Sequence, residues 1–426
     1  MKVIDCKKIK EQAYVEILEN GMKVIIVPKA ESSKKYVIWG TNFGSIDNNF
    51  IVPETGEEVK LPDGVAHFLE HKMFEQPDGS NSLDTMMALG LDVNAYTTND
   101  HTAYLFECSD DNNFYKGLDE LMDFVQSPHY TNENVEKEKG IIGQEIMMYD
   151  DDPGFQLYLN TLQCLYSKNA IRVDIAGTIE SISGIDPDML YKCYHTFYNP
   201  SNMVLCVCGN FDPDSMLEEI KRRLKDSKNP GEIKRIYEEE PDDIYKKSVE
   251  KVMPISMPIF MIGIKDKTVS VDEKAKRHLA IEIILNLLIG KSSELYKELY
   301  NSQIVTAEPD LEYEFSKNYA HILISGQSNN PQKVEKMFKD EVKNLKSRSI
   351  NKEDFERIKR KLYGQFVTEF NDVSNIARLF LADSIKEVNT FDYVEKYDDI
   401  TINYTTQILN EVFDEEKMVL SVIKGK

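Results

Sequence analysis

The segment Glu133-Asn-Val-Glu recurs 220 residues later as Glu353-Asp-Phe-Glu, and the stretches around both copies follow one order. Each half has a predicted strand, then helix, a pair of strands, two more helices and a closing buried strand. "LDVNAYTTND" with "HTAYLFECS" in the first half matches "DLEYEFSKNYAHILISGQS" in the second, and "SNMVLCVCGN" matches "EKMVLSVIKG". Self-similarity at a fixed offset restricts the chain to two tandem copies of one α+β domain of about 200 residues. The boundaries that follow are 1–228 for the first domain, 229–250 for an acidic linker and 251–426 for the second. A chain of 426 residues also exceeds what one core usually supports.

Local signals fill in the first copy. "YVEILENGMKVIIVPK" alternates apolar and polar residues around Asn20-Gly21, which predicts a hairpin. Thr131 is the expected N-cap of a helix over 132–149, and an amphipathic helix is expected near 213–227.

Composition excludes several functions. The net charge of -22 argues against a nucleic-acid partner, because polyphosphate binding needs a basic surface. The run Ile281–Ile289 contains Glu282 and Asn286 and is too short for a membrane span. Residues 1–30 show no apolar signal segment, so a cytoplasmic location is expected. The six cysteines form no C-x-x-C pair and read as reduced core residues. Any metal site therefore falls to histidine and carboxylate.

His67-Phe-Leu-Glu70-His71 meets that requirement. On a helix, positions i, i+3 and i+4 share one face, so the three ionisable side chains project together. Two neutral imidazoles so spaced can take two corners of a Zn²⁺ tetrahedron, as H-E-x-x-H does in the reverse order. Chance alone would produce such a motif in about one chain in a hundred of this composition, so a third ligand is needed. On the helix 132–149, Glu138 and Glu145 lie seven residues apart on one face. Glu145 is a candidate third ligand and Glu138 a candidate support for it, although glutamates on a charged helix are usually solvated. Gly140 and Gly143 predict that another helix approaches closely there. The repeat sets Ile358 and Gln365 against Glu138 and Glu145, and the second half has no H-x-x-E-H. The ionisable set is confined to one half.

With these residues in place, the chain resembles the pitrilysin-type (M16) metallopeptidases with their inverted zinc motif. "VNAYTT", "EKEKGIIGQE" around Glu145 and "FYNPSNMVLCVCGNFD" extend the likeness over essentially the whole length. It is most similar to the half-length bacterial, processing-peptidase-like members. The resemblance implies two α+β domains of the LuxS/MPP-like kind, with an antiparallel-rich sheet packed by helices, forming half of a clamshell chamber. It implies Zn²⁺ on His67, His71 and Glu145. Glu70 would take a proton from the zinc-bound water and pass it to the leaving amine. Glu138 would support the site, and Asn94-Ala95 would lie on the edge strand along which a peptide substrate adds.

One part of the family pattern is missing. Full-length relatives carry an Arg and a Tyr, seven residues apart, in their C-terminal half, where they grip the peptide. Here Tyr300 stands where that Arg is expected, and no Arg occurs between Arg277 and Arg348. The expectation is a heterodimer in which a homologous subunit supplies the Arg–Tyr pair, since a homodimer would lack the Arg. Acidic walls would favour basic peptides. The alternative is a non-catalytic structural subunit of the same superfamily. It is disfavoured because the set His67, Glu70, His71 and Glu145 is complete.

Overall fold

The computed structural model describes residues 1–227 and 229–425. Lys228, the expected end of the first domain, and Lys426, the end of the second, lie outside them. The chain divides into two compact units. One contains Met1–Ile146, Asp174–Tyr237 and Val367–Thr390; the other contains Met147–Val173, Glu238–Phe366 and Phe391–Lys426.

The first unit is built on a seven-stranded sheet. In spatial order its strands are Lys2–Cys6, Glu11–Ile17, Lys23–Pro28, Met203–Gly209, Lys35–Thr41, Thr102–Cys108 and Asp92–Thr97. The hairpin at Asn20-Gly21 is present, with Ile17 opposite Lys23 and Tyr14 opposite Ile26. Lys35–Thr41 and Met203–Gly209 are buried along their whole length, as apolar central strands are when both faces are covered. Asp92–Thr97 forms one edge of the sheet.

The second unit has a five-stranded sheet, ordered Ser248–Val252, Met418–Lys424, Ile259–Asp266, Ala320–Gln327 and Asp310–Phe315. Its first two strands run parallel and the remaining pairs are antiparallel. The same order and the same senses occur in the first sheet from Lys23–Pro28 to Asp92–Thr97. The duplication seen in sequence is therefore a duplication of five strands. The hairpin partners Lys2–Cys6 and Glu11–Ile17 are an addition to the first copy only.

Sequence halves and compact units do not coincide. The helix Pro153–Leu165 belongs to the first half, yet it packs on Ile259–Asp266 and Met418–Lys424 of the second sheet. Ser421 donates its hydroxyl to the Leu157 carbonyl at 3.2 Å. The helix Val373–Ile385 belongs to the second half and packs on Lys35–Thr41 and Met203–Gly209. Each contact is made over a glycine. A Cβ at Gly40 would stand 2.7 Å from Leu381 Cδ1, and one at Gly263 would stand 2.7 Å from Thr161 Cγ2. Only a residue without Cβ lets helix and strand approach this closely.

The stretch 229–250 is ordered by pairing. Lys234–Arg235 adds to Asn49–Ile51 in a small three-stranded sheet of the first unit, and Arg235 meets buried Asp47 at 2.8 Å. In the second unit Glu240 accepts the backbone N–H groups of Ser167, Lys168 and Asn169. Among the described residues, no helix is long and apolar enough to cross a membrane.

Candidate metal centre

His67, Glu70 and His71 lie on the helix Val65–Lys72, whose Val65, Ala66, Phe68 and Leu69 are buried in the first unit's core. Burying that face leaves His67 and His71 side by side, with ring centroids 4.6 Å apart. The helix Asn132–Asp150 brings the glutamates, and it is anchored at its start by Thr131, whose hydroxyl accepts the Asn134 N–H at 3.2 Å. Val135, Ile142 and Ile146 seat that helix in the same core.

The two helices converge at Glu145. Its Oε1 stands 3.6 Å from His67 Nε2 and its Oε2 stands 3.5 Å from His71 Nε2. One donor atom from each of the three residues lies within 4.8 Å of the others, the arrangement expected of a metal-holding group. Ligand bonds of about 2.0–2.1 Å in a tetrahedron set donors about 3.4 Å apart, and the two separations of Glu145 from the histidines are close to that. Two imidazole nitrogens and one carboxylate oxygen are also a zinc-type donor set, with room for a fourth ligand.

Neighbours fix each donor. His71 uses its other nitrogen, Nδ1, on Glu138 Oε1 at 3.1 Å, and Glu138 Oε2 accepts from Lys72 Nζ at 3.2 Å. Lys72 is fully buried and also meets Glu75 at 2.7 Å. Burial works against charge on His71, but the Glu138 hydrogen bond and the nearby carboxylates outweigh it and raise its pKa. For Glu138, burial works in the opposite sense, but His71 and Lys72 prevail and lower its pKa. His67 differs. Burial first, and then the charge of His71, depress it to about 3, so it is held neutral, as a metal ligand must be.

Glu70 stands apart from the donor triangle. Its Oε2 accepts the Thr97 hydroxyl at 2.6 Å, and Thr97 in turn contacts the Thr102 hydroxyl at 3.2 Å. Burial lifts the Glu70 carboxyl to about 7, against the pull of Thr97 and His71. Such a group can accept and release a proton near neutral pH.

The other predicted residues divide. Asn94 and Ala95 lie on the edge strand Asp92–Thr97, with Asn94 exposed and its Oδ1 accepting the Ala95 N–H at 2.8 Å. The close helix contact expected at Gly140 and Gly143 is absent. A Cβ at either would have no described neighbour within 4 Å; Gly140 is exposed, and Gly143 is buried without such a contact. Sequence reasoning did not single out Thr97 or Lys72. Thr97 lies within the quoted "VNAYTT", and strand alternation sets it on the face opposite Asn94. Nothing in the sequence marks Lys72 as buried; its charge is met by Glu75 three residues on and by Glu138 arriving from another helix.

Fold and site together define a two-domain α+β protein with a metal-type His–His–Glu cluster in one domain. Comparison with known proteins agrees. Residues 56–178 match the model of Insulinase (Peptidase family M16), and residues 184–362 match that of the Peptidase M16 inactive domain. YmfH of Bacillus subtilis, called an uncharacterized zinc protease, is 34% identical over the full length of both chains. An M16-like peptidase from Alicyclobacillus acidocaldarius superposes with a TM-score of 0.93 at 32% identity, covering 99% of this chain and 100% of the other. A protease from Helicobacter pylori, at 20% identity and a TM-score of 0.82, shares the fold over 97% of this chain and 100% of its own. The chain belongs to the M16 peptidase family.

Proposed function

We propose that the chain is a zinc-dependent endopeptidase acting on peptides or unfolded segments, with His67, His71 and Glu145 as ligands and Glu70 as general base. One observation carries the reading. Three zinc-type donors converge beside a fourth carboxylate that is tied to Thr97 and kept out of the triangle. Zinc held there would supply a Lewis acid for a water and for the scissile carbonyl.

The chain's own residues account for the remaining chemistry. Glu70 takes the proton of the attacking water and hands it to the leaving amine. Its raised pKa lets it hold that proton between the two transfers. Thr97 pins Oε2, which leaves Oε1 to do the work. Glu138 is a positioning residue that sets the tautomer and tilt of His71 through Nδ1. A peptide adds to the free edge of Asp92–Thr97, and its carbonyl replaces the Asn94 side chain on the Ala95 N–H.

The gripping half of the site comes from a second, homologous chain that bears an Arg–Tyr pair. Tyr300 is 52% exposed on the helix Glu294–Asn301, in a stretch without arginine from 278 to 347.

The test measures zinc content and hydrolysis of a peptide library for wild type and Glu70→Gln, with and without such a partner. About one zinc in both proteins, with cleavage by wild type plus partner only, is the expected result. Cleavage by wild type alone would remove the partner from the proposal. Zinc without cleavage under any pairing would leave a structural subunit.

A further inference from the structure

The helix Val373–Ile385 covers one face of the first sheet, and Leu381 over Gly40 identifies that face. Gly40, Ala103 and Tyr96 lie in register across three adjacent strands, and Tyr36 is four residues before Gly40 on its strand. Side chains of Tyr36 and Tyr96 therefore share the covered face, while Thr97 and Glu70 are on the other.

Arg378 extends from the helix across this face. Its guanidinium lies 5.7 Å from the ring centre of Tyr36 and 5.2 Å from that of Tyr96. It bridges from a central strand, over the small side chain of Ala103, to the edge strand. In a chain with 73 acidic residues, Arg378 has no carboxylate within 4 Å among the described residues. Two aromatic side chains hold the cation in place, with their neutral hydroxyls near its N–H groups, and none of these neighbours is an anion. Beside it, Asn94 and Tyr96 are the residues of the edge strand that an added strand would lie against.

The geometry points to Arg378 as a specificity-determining residue that accepts an acidic side chain of the peptide. This rests on the proposed addition of substrate to the edge Asp92–Thr97. Side chains of an added strand alternate between the two faces. Those on the Glu70 face meet the metal centre; those on the other face point toward Tyr96 and Arg378. An Asp or Glu there gains a charge-assisted hydrogen bond to a guanidinium that is already positioned. At these alternate positions the preference is the opposite of the basic one suggested by net charge.

The test uses short synthetic peptides that differ only by Glu, Gln or Lys at one position, scanned along the sequence. Binding is measured by fluorescence anisotropy on the zinc-loaded Glu70→Gln chain together with its partner, and kcat/KM on wild type with the same partner. Glu should be favoured over Gln by about tenfold at alternate positions in both readouts. Arg378→Gln should collapse the ratio to near one, Arg378→Lys should keep part of it, and Arg378→Glu should turn it in favour of Lys. A wild-type ratio near one at every position overturns the assignment without any variant, as does a ratio that survives Arg378→Gln. If peptides bind but none is cleaved, the peptidase reading fails while the binding ratio still decides the role of Arg378. If none binds, both fall.

Discussion

The two units carry the same five strands in the same order, yet among the described residues only one brings three metal-type donors together; the buried charges of the other, such as Arg277 and Asp266, pair with each other. Where the first holds Glu138 and Glu145, the second has Ile358, which is buried, and Gln365, which is exposed. No group of three His, Cys, Asp or Glu converges elsewhere among the described residues. The second unit thus shows that the framework folds around an apolar residue at the Glu138 position. Buried ion pairs such as Glu138–Lys72 cost desolvation that apolar packing avoids. The comparison teaches that the charges of the first unit are kept for chemistry and that the framework does not depend on them.

Substitution toward the second unit should break the comparison most sharply. Glu138→Ile copies the repeat but leaves Lys72 buried with only Glu75, so a loss of about 3–5 kcal/mol is expected in urea unfolding. The same variant should weaken zinc about 10–100-fold in competition with a chelator, since His71 loses its Nδ1 partner. Glu138→Ile with Lys72→Met should recover most of the stability and none of the zinc affinity. Recovery of both would mean that Glu138 matters only to packing.

A smaller effect should separate the two helix–glycine contacts. Gly263→Ala would press on Thr161, Leu165 and Val419 together, and Thr161 is held by its hydroxyl bond to the Leu157 carbonyl at 2.8 Å. A cost of about 1–3 kcal/mol is expected there. At Gly40 the three nearest atoms all belong to one side chain, Leu381, which can turn as a unit, so Gly40→Ala should cost less. Thermal melts of the two variants give the order, and equal losses would show that Leu381 is as confined as Thr161.

The mildest test is a titration. In chelator-treated protein, the Glu70 carboxyl should titrate near 7, as seen by carbon NMR. A carboxyl whose pKa is raised on folding binds its proton more tightly in the native state. Its contribution is therefore greatest below the unfolded value near 4.5 and is lost as pH rises through 7. Wild type should fall in stability relative to Glu70→Gln across that interval. A flat difference would mean that Glu70 is better solvated than its burial indicates.

Much of this was legible in the sequence, for identifiable reasons. Spacing of four residues on a helix is enough to set His67 beside His71, and Asn20-Gly21 dictates its own turn. The 220-residue offset gave the repeated strand order. What escaped depends on tertiary choice. An amphipathic pattern says that Pro153–Leu165 and Val373–Ile385 must each bury a face, but not against which sheet. The strand Lys2–Cys6 is polar and mostly exposed, so it carries little strand signal. Gly143 reads as a packing site in sequence; it is buried, but no neighbouring atom comes within 4 Å of where its Cβ would stand, and only the fold decides that. Arg378 is one of nine arginines with nothing to set it apart until its helix is seen lying on the other half's strands.

That helix has a consequence for synthesis. The last strand of the first sheet, Met203–Gly209, leaves the ribosome long before Val373–Ile385 does. At about 5–20 residues per second, the delay is about 10–35 s. Throughout it, the apolar face around Gly40 and Cys206 is without its cover, and a nascent chain in that condition is a client for chaperones. The first unit is begun first and finished only when the second is nearly made.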